Sequence, residues 1–254
     1  MMTLWRREIV RFARQRSRVT GAFAQPLVFW ILLGGGLRAS FRPPGLPDGM
    51  SSVEYFYPGI IALMLLFTAI FSTISVVEDR QAGFLQGVLV APVSRAAVVL
   101  GQALGSTTLA MLQGLLFLVL APIAGVPLTP LSALAALAVM LIMAFSLSNL
   151  GLTIAWRMTS TQGFHAIMNL LLLPLWLLSG AFFPATGAPW WIAWIMTVDP
   201  LTYGITLLRR AFYLANPVAA GQLPPAAISL GITLLFCCVA AAAAVGSARR
   251  STVR

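Results

Sequence analysis

The sequence contains no lysine: all 16 of its basic residues are arginine. A P-loop needs the lysine of GxxxxGK[ST] to reach the β- and γ-phosphates of a nucleotide. These 254 residues therefore hold no such loop, and any nucleotide energy must come from another polypeptide. Acidic residues number six, and His165 is the single histidine. No Ser/His/Asp, Cys/His or facing-carboxylate set presents itself, because Glu78 and Asp79 are chain neighbours. An enzyme and a metal site are both disfavoured on these grounds. No acidic residue is expected deep in a span. Intramembrane ionisable groups mark proton- and ion-coupled pumps, so their scarcity counts against a secondary transporter. Cys237 and Cys238 are adjacent within an apolar run, which suits packing and neither a zinc site nor a disulfide framework.

Charge itself is scarce, at 9% of residues, while 59% are hydrophobic. A soluble domain usually carries about 25% charged residues; this chain cannot build that polar skin, so its surface must face lipid. The apolar runs are too many and too long for a cleaved signal peptide. A hydrocarbon core about 30 Å thick takes roughly 20 apolar residues in a helix. That rule predicts an all-α integral membrane protein with six spans, near 19–37, 57–77, 97–122, 131–155, 164–183 and 226–246. Two are interrupted, the first by Gln25, Pro26 and Gly34 to Gly36, the fifth by Pro174. Neighbouring helices can satisfy a carbonyl that a proline leaves free.

Residues 1–18 read as an N-terminal amphipathic helix lying in the headgroup layer, with 19–254 as a single membrane domain. Leu4, Ile9, Phe12 and Trp5 share one side, and Arg7, Arg11, Arg14 and Arg18 follow helical spacing on another. With six spans and the N-terminus inside, twelve arginines fall in cytoplasmic segments. Four (Arg38, Arg42, Arg209 and Arg210) fall outside. That asymmetry obeys the positive-inside rule and places both termini in the cytoplasm. It also accounts for the net charge of +10 as topology signal and lipid-headgroup contact, with no nucleic-acid partner implied.

Two connections carry more than a turn requires. Between the second and third spans runs EDRQAGFLQGVLVAPVSR, residues 78–95. Burying Glu78, Asp79 and Arg80 at the bilayer centre would cost roughly 8–10 kcal/mol, so the segment lies outside the core. Phe84, Leu85, Val88 and Leu89 nevertheless form an apolar stripe opposite Gln81 and Gln86. Ala91-Pro92 ends the element, and Ser94 is placed to cap the third span. A short amphipathic helix in the cytoplasm must seat that stripe on the membrane surface or on a soluble partner. The second connection, 179–225, is an outer stretch predicted to form two short helices lying at the outer leaflet or dipping into it. Trp190, Trp191 and Trp194 cluster as interfacial aromatics do, and Asp199-Pro200 opens the run containing Tyr203 and Arg209. Within the spans, Ser146, Asn149 and Thr153 make a polar stripe and Asn169 stands similarly in the fifth. Helix-to-helix hydrogen bonds or a substrate path would both use them. Gly101 and Gly105 form a GxxxG pair suited to close helix packing.

The 78–95 loop resembles that of ABC transporter permeases of the type-2 exporter family. Those loops carry a charged pair, a glycine, a Leu-rich turn and a Pro-Val-Ser-Arg-like ending. Here the elements are Glu78-Asp79-Arg80, Gly83, Leu85 to Val90 and Pro92-Val93-Ser94-Arg95, with Gly101 beyond. Phe183-Pro184, Pro189-Trp190 and DPLTYGITLLR match the family's outer stretch. The family commonly has Asn where Asp199 stands and often an acid where Thr206 stands. The resemblance implies a permease forming the substrate pathway of an ATP-driven exporter in the bacterial cytoplasmic membrane. It implies residues 81–90 as a coupling helix seated in a separate ATPase subunit, which would bind ATP and Mg while this chain holds no cofactor. It also implies a pathway built from two permease subunits, as a homodimer or with a similar chain. The competing class is a secondary transporter or channel without an ATPase partner, or an integral-membrane enzyme.

Overall fold

In the computed structural model, residues 2–14, 51–85, 87, 93–181, 189–215 and 223–250 are described, with 24, 28, 31 and 32 as isolated helical positions. Among them the fold is all-helical. The elements are α1 (Met2–Arg14), α2 (Ser52–Ser72), α3 (Ser75–Gln81), α4 (Arg95–Leu120), α5 (Pro130–Ala155), α6 (Thr161–Trp176), α7 (Trp190–Val198), α8 (Pro200–Phe212) and α9 (Ala226–Arg250). Five helical stretches are long and apolar enough to cross a membrane: α2 with α3, α4 with its 3-10 extension, α5, α6 with its π turn, and α9. They correspond to the second to sixth predicted spans. The first predicted span, 19–37, lies outside the described residues apart from the isolated positions.

Local chemistry fixes where each helix begins. Serine or threonine hydroxyls accept from the first-turn amides that a helix leaves unpaired. Ser51 caps α2 through the amide of Glu54, Ser94 caps α4 through Ala97 as its sequence predicts, and Ser160 caps α6 through Gly163. Thr129 and Ser132 bond reciprocally at the start of α5, ahead of Pro130 at the first helical position. The predicted second span therefore begins five residues early, at Ser52, because the cap and not the apolar run sets the boundary. It also breaks at Thr73-Ile74. There Ser72 Oγ donates to Ala69 O at 2.9 Å and Thr73 Oγ1 to Ile70 O at 2.6 Å, back-bonding of the kind that bends helices. Gly151 of α5 meets this bend, where even a Cβ would lie 2.8 Å from Thr73 Oγ1.

The bundle centres on α2, whose Tyr57, Ile61, Leu65 and Ala69 are fully buried. It packs against α4 and α5, and α9 packs along α5. Trp176 Nε1 on α6 donates to Gly59 O at 2.7 Å, close to a point where a Cβ on Gly59 would strike Ala181 at 2.9 Å. Two ends can be distinguished. One gathers α1, α3, Arg80, Arg157, Arg249 and Arg250, with Arg157 Nε donating to Ser247 Oγ at 3.2 Å; it is called here the arginine-rich end. At the other, Glu54 lies against Gly125 and Arg209 reaches Tyr55.

The helices α7 and α8 meet at 79° around Asp199. Met196 of α7 lies against Gly180, next to the Gly59–Ala181 contact, and α8 ends with Arg209 on Tyr55, both near the end opposite the arginines. It is therefore re-entrant and does not cross. Its tip, Pro200-Leu201, shares a small cavity with Met143, Ser146 and Leu147 of α5 and Thr233 and Phe236 of α9. Met143 lies 13 residues into α5, about 20 Å at 1.5 Å per residue. The sequence placed these two short helices at the outer leaflet or dipping into it; the structure takes the second course and sinks their corner about halfway along α5. This corrects the expectation that no acid lies deep. Asp199, only 5% exposed, is carried inward because its Oδ1 caps α8, accepting from Leu201 N at 2.9 Å.

Candidate functional site

At the arginine-rich end, α3 finishes in the charged segment singled out by the sequence. The helix stops at Ala82, and Gly83 takes φ +73°, a conformation that costs glycine little and other residues more. The chain thereby turns sharply outward. Phe84 emerges 43% exposed while Leu85 folds inward and is 3% exposed, part of the protein's own core. The expected paired stripe is thus split: Phe84 is displayed and Leu85 is already covered, because the turn at Gly83 places adjacent side chains on opposite sides. Val88 and Leu89 lie outside the described residues.

This elbow is held from two directions. Arg7 makes a bidentate pair with the buried Asp79, 2.5 Å at both contacts. Arg11 bridges Asp79 Oδ1 at 2.9 Å and Glu78 Oε2 at 2.6 Å. Such forked, charge-assisted bonds are roughly twice as strong as neutral ones. Hydrogen bonding to Asp79 raises the affinity of the Arg7 guanidinium for its proton. Arg7 also lies over the Phe84 ring, 3.9 Å from its centroid, a cation–π contact. From the other side Arg80 donates to Trp156 O at 2.7 Å and Met158 O at 2.8 Å, and Gln81 Nε2 to Thr159 O at 2.8 Å. These carbonyls close the C-terminus of α5, where a cation is favoured by the helix dipole. The elbow therefore moves only with α1 and with the α5–α6 turn.

The sequence missed half of this clamp. It assigned Arg7 and Arg11 to the headgroup layer, whereas they face Asp79 and Glu78. The available signal was stoichiometric: two arginines one turn apart, and an acidic pair with no other basic partner nearby except Arg80. The rest of α1 packs on α4. Trp5 Nε1 donates to Thr108 Oγ1 at 3.0 Å, and a Cβ on Gly105 would lie 2.8 Å from Glu8 Cβ. The close approach expected of Gly105 is real, and its partner is α1. Glu8 is buried there, and desolvation raises its pKa, opposed by a hydrogen bond from Ser75.

The remaining predicted residues are dispersed. Trp190, Trp191 and Trp194 are exposed on α7, and Tyr203 Oη donates to Thr197 O at 2.8 Å across the corner. Pro200 is the first residue of α8. Arg209 is buried at the far end of α8. On α5 the polar stripe bonds along its own helix: Ser146 to Ile142 O, Asn149 Nδ2 to Phe145 O, and Thr153 to Asn149 O. The expected helix-to-helix bonds are made elsewhere, by Thr107 to Ser148 at 3.3 Å and by Thr68 to Gln113, since a hydroxyl on a helix reaches its own i−4 carbonyl more easily than a neighbour. Asn169 is exposed on α6. His165 is exposed and stacks on Phe71 with centroids 5.3 Å apart. Among the described residues no group of three His, Cys, Asp or Glu could hold a metal.

Among the described residues, five helices long and apolar enough to cross a bilayer, a re-entrant corner and a charged elbow clamped to an N-terminal helix define a multi-pass membrane protein. The chain belongs to the ABC-2 type transporter family, whose model matches residues 1–213 and so takes in α1, the elbow and the corner. It is similar to the putative transport permease ycf38 of Cyanophora paradoxa, 26% identical over 82% of this chain and 72% of that one. Nodulation protein J of Rhizobium leguminosarum bv. viciae is 25% identical over 86% and 83% respectively. Nodulation protein J of Rhizobium meliloti is 26% identical over 93% and 87%. The chain is thus a permease-family protein by sequence.

Proposed function

We propose that this permease forms the substrate pathway of an ATP-driven exporter and is driven through the elbow at residues 78–87 by a separate ATPase subunit. One observation carries the reading: a large aromatic, Phe84, is displayed outward from a base immobilised by Arg7, Arg11, Arg80 and Gln81. A soluble partner that pushes on such a base transmits displacement to α3 and to the end of α5 together. The absence of lysine supports a separate ATPase, which would hold the ATP and Mg. In this reading the arginine-rich end faces the cytoplasm, in keeping with the positive-inside rule. The membrane is then the bacterial inner membrane, and two copies, or this chain with a similar one, enclose the pathway.

The test replaces Phe84 by aspartate in membranes with matched permease levels and measures ATPase co-purification and substrate export. Burying a phenylalanine contributes roughly 1.5–3 kcal/mol, so Phe84→Asp should weaken association at least tenfold or uncouple hydrolysis from export. Retention of both at wild-type level would remove the elbow as the coupling element.

A further inference from the structure

The last turn of α8 carries a buried cation without a counter-ion among the described residues. Arg209 is 7% exposed. Its guanidinium lies over the Tyr55 ring at 4.3 Å and makes one long hydrogen bond, Nη2 to Tyr55 O at 3.4 Å, while its Nε has no partner. No carboxylate among the described residues is within ion-pair distance of it; the four ion pairs there all belong to Arg7 and Arg11. Glu54, the nearest acid in sequence to Tyr55, is engaged with the Ser51 hydroxyl at 3.0 Å and lies against Gly125; its charge reaches Tyr213, as that of Arg209 does, but it makes no ion pair with the guanidinium. Around Arg209 further donors are unspent. Tyr213 stands one turn beyond it, 5% exposed, with its hydroxyl unpartnered, and the hydroxyl of Tyr55, itself 7% exposed, is unpartnered too. The adjacent Arg210 satisfies Nη2 on Leu223 O and Pro224 O but leaves its Nε free.

Water could satisfy these donors but not the charge, and a desolvated guanidinium without an opposing charge is strongly unfavourable. A guanidinium over one tyrosine ring, with a second tyrosine one turn along the helix and both hydroxyls unspent, offers donors that match the oxygens of a phosphate or carboxylate. We propose that Arg209, Tyr55 and Tyr213 form a binding site for an oxyanion, of the phosphate or carboxylate class, at the end of the bundle opposite the arginines. A lipid headgroup and a free or cargo-borne anion share this chemistry. The site stands independently of the ATPase reading, because its test involves no hydrolysis or export.

The experiment uses the full chain, delipidated in dodecyl maltoside, which carries neither charge nor phosphate. Thermal unfolding is followed while inorganic phosphate or phosphatidylglycerol is added at constant ionic strength. Saturable stabilisation by both identifies a small-oxyanion site; stabilisation by phosphatidylglycerol alone identifies a headgroup site. Either should vanish in Arg209→Gln and persist in Arg249→Gln, which alters an exposed arginine at the far end. Tyr213→Phe and Tyr55→Phe, which preserve packing, should each raise the half-saturating concentration about two- to tenfold, the worth of one hydrogen bond. The proposal fails if neither ligand stabilises the wild type. It fails equally if both Tyr→Phe variants titrate like the wild type, a result that holds even should Arg209→Gln not fold.

Discussion

The two ends of the bundle handle their charges in opposite ways. At the arginine-rich end, Arg7 and Arg11 share two carboxylates, and Arg80 is satisfied by the carbonyls that terminate α5. At the other end, Arg209 has a ring face and one long bond, and the surrounding hydroxyls are unspent. Packing there relies on neutral contacts: Trp176 to Gly59 O, Tyr57 Oη to Phe117 O, and a glycine on α2 that lets Ala181 approach. A joint that must pass movement between segments is held by many directional ionic bonds. A region that must admit or release something keeps donors in reserve. On the two readings proposed above, the difference separates a mechanical end from a binding end, and it can be tested end by end.

The largest effect should follow Asp79→Asn. Removing one partner of a buried ion pair commonly costs about 3–5 kcal/mol. Here the carboxylate is buried, but Arg7 and Arg11 keep side-chain exposures of 31% and 25%, so solvent screening reduces the expected loss to about 2–3 kcal/mol. Thermal unfolding in detergent should show a lower midpoint, and proteolysis should release α1 before the rest of the chain unfolds. An unchanged midpoint with α1 still protected would mean that packing, not charge, holds the elbow.

An intermediate effect is expected at the opposite end. Trp176→Phe keeps the ring and deletes the donor to Gly59 O, worth about 0.5–1.5 kcal/mol. Because that bond is neutral, the loss should not depend on ionic strength, whereas the Asp79→Asn loss should shrink as salt rises. Equal salt dependence in the two variants would erase the contrast between the ends.

The smallest effect concerns Glu8, whose pKa burial raises. A carboxyl whose folded-state pKa exceeds its unfolded value is costly when ionised, so it subtracts stability at neutral pH, and the deficit disappears as pH falls into the ordinary carboxylate range. Glu8→Gln should therefore raise the unfolding midpoint slightly at pH 7.5 and leave it unchanged near pH 4.5. A loss of stability at pH 7.5 would show that ionised Glu8 is a working member of the arginine clamp.

The apolar runs and scarce charge settled by themselves that this chain lives in a bilayer, for no arrangement of so few polar groups can coat a soluble domain. The hydroxyl cap at Ser94 was equally legible, since it depends on residues adjacent in sequence, whereas the turn at Gly83 interrupts what the apolar stripe presents as one helix. The bilayer rule that located the spans could not see where the α7–α8 corner goes. Its depth is set by contacts with Met143 and Phe236, 57 residues before and 36 after Pro200 in the chain. Nor could it see that Arg7 and Arg11 leave the headgroups for Asp79 and Glu78, or that Leu85 turns away from Phe84. An amphipathic pattern records that a residue needs a partner, while only the tertiary structure decides which partner comes within reach. The pairing of Arg7 with Asp79 spans 72 residues and exists because α4 brings α1 alongside α3; Arg209 has no ion-pair partner among the described residues because none of their acids was brought within reach of it.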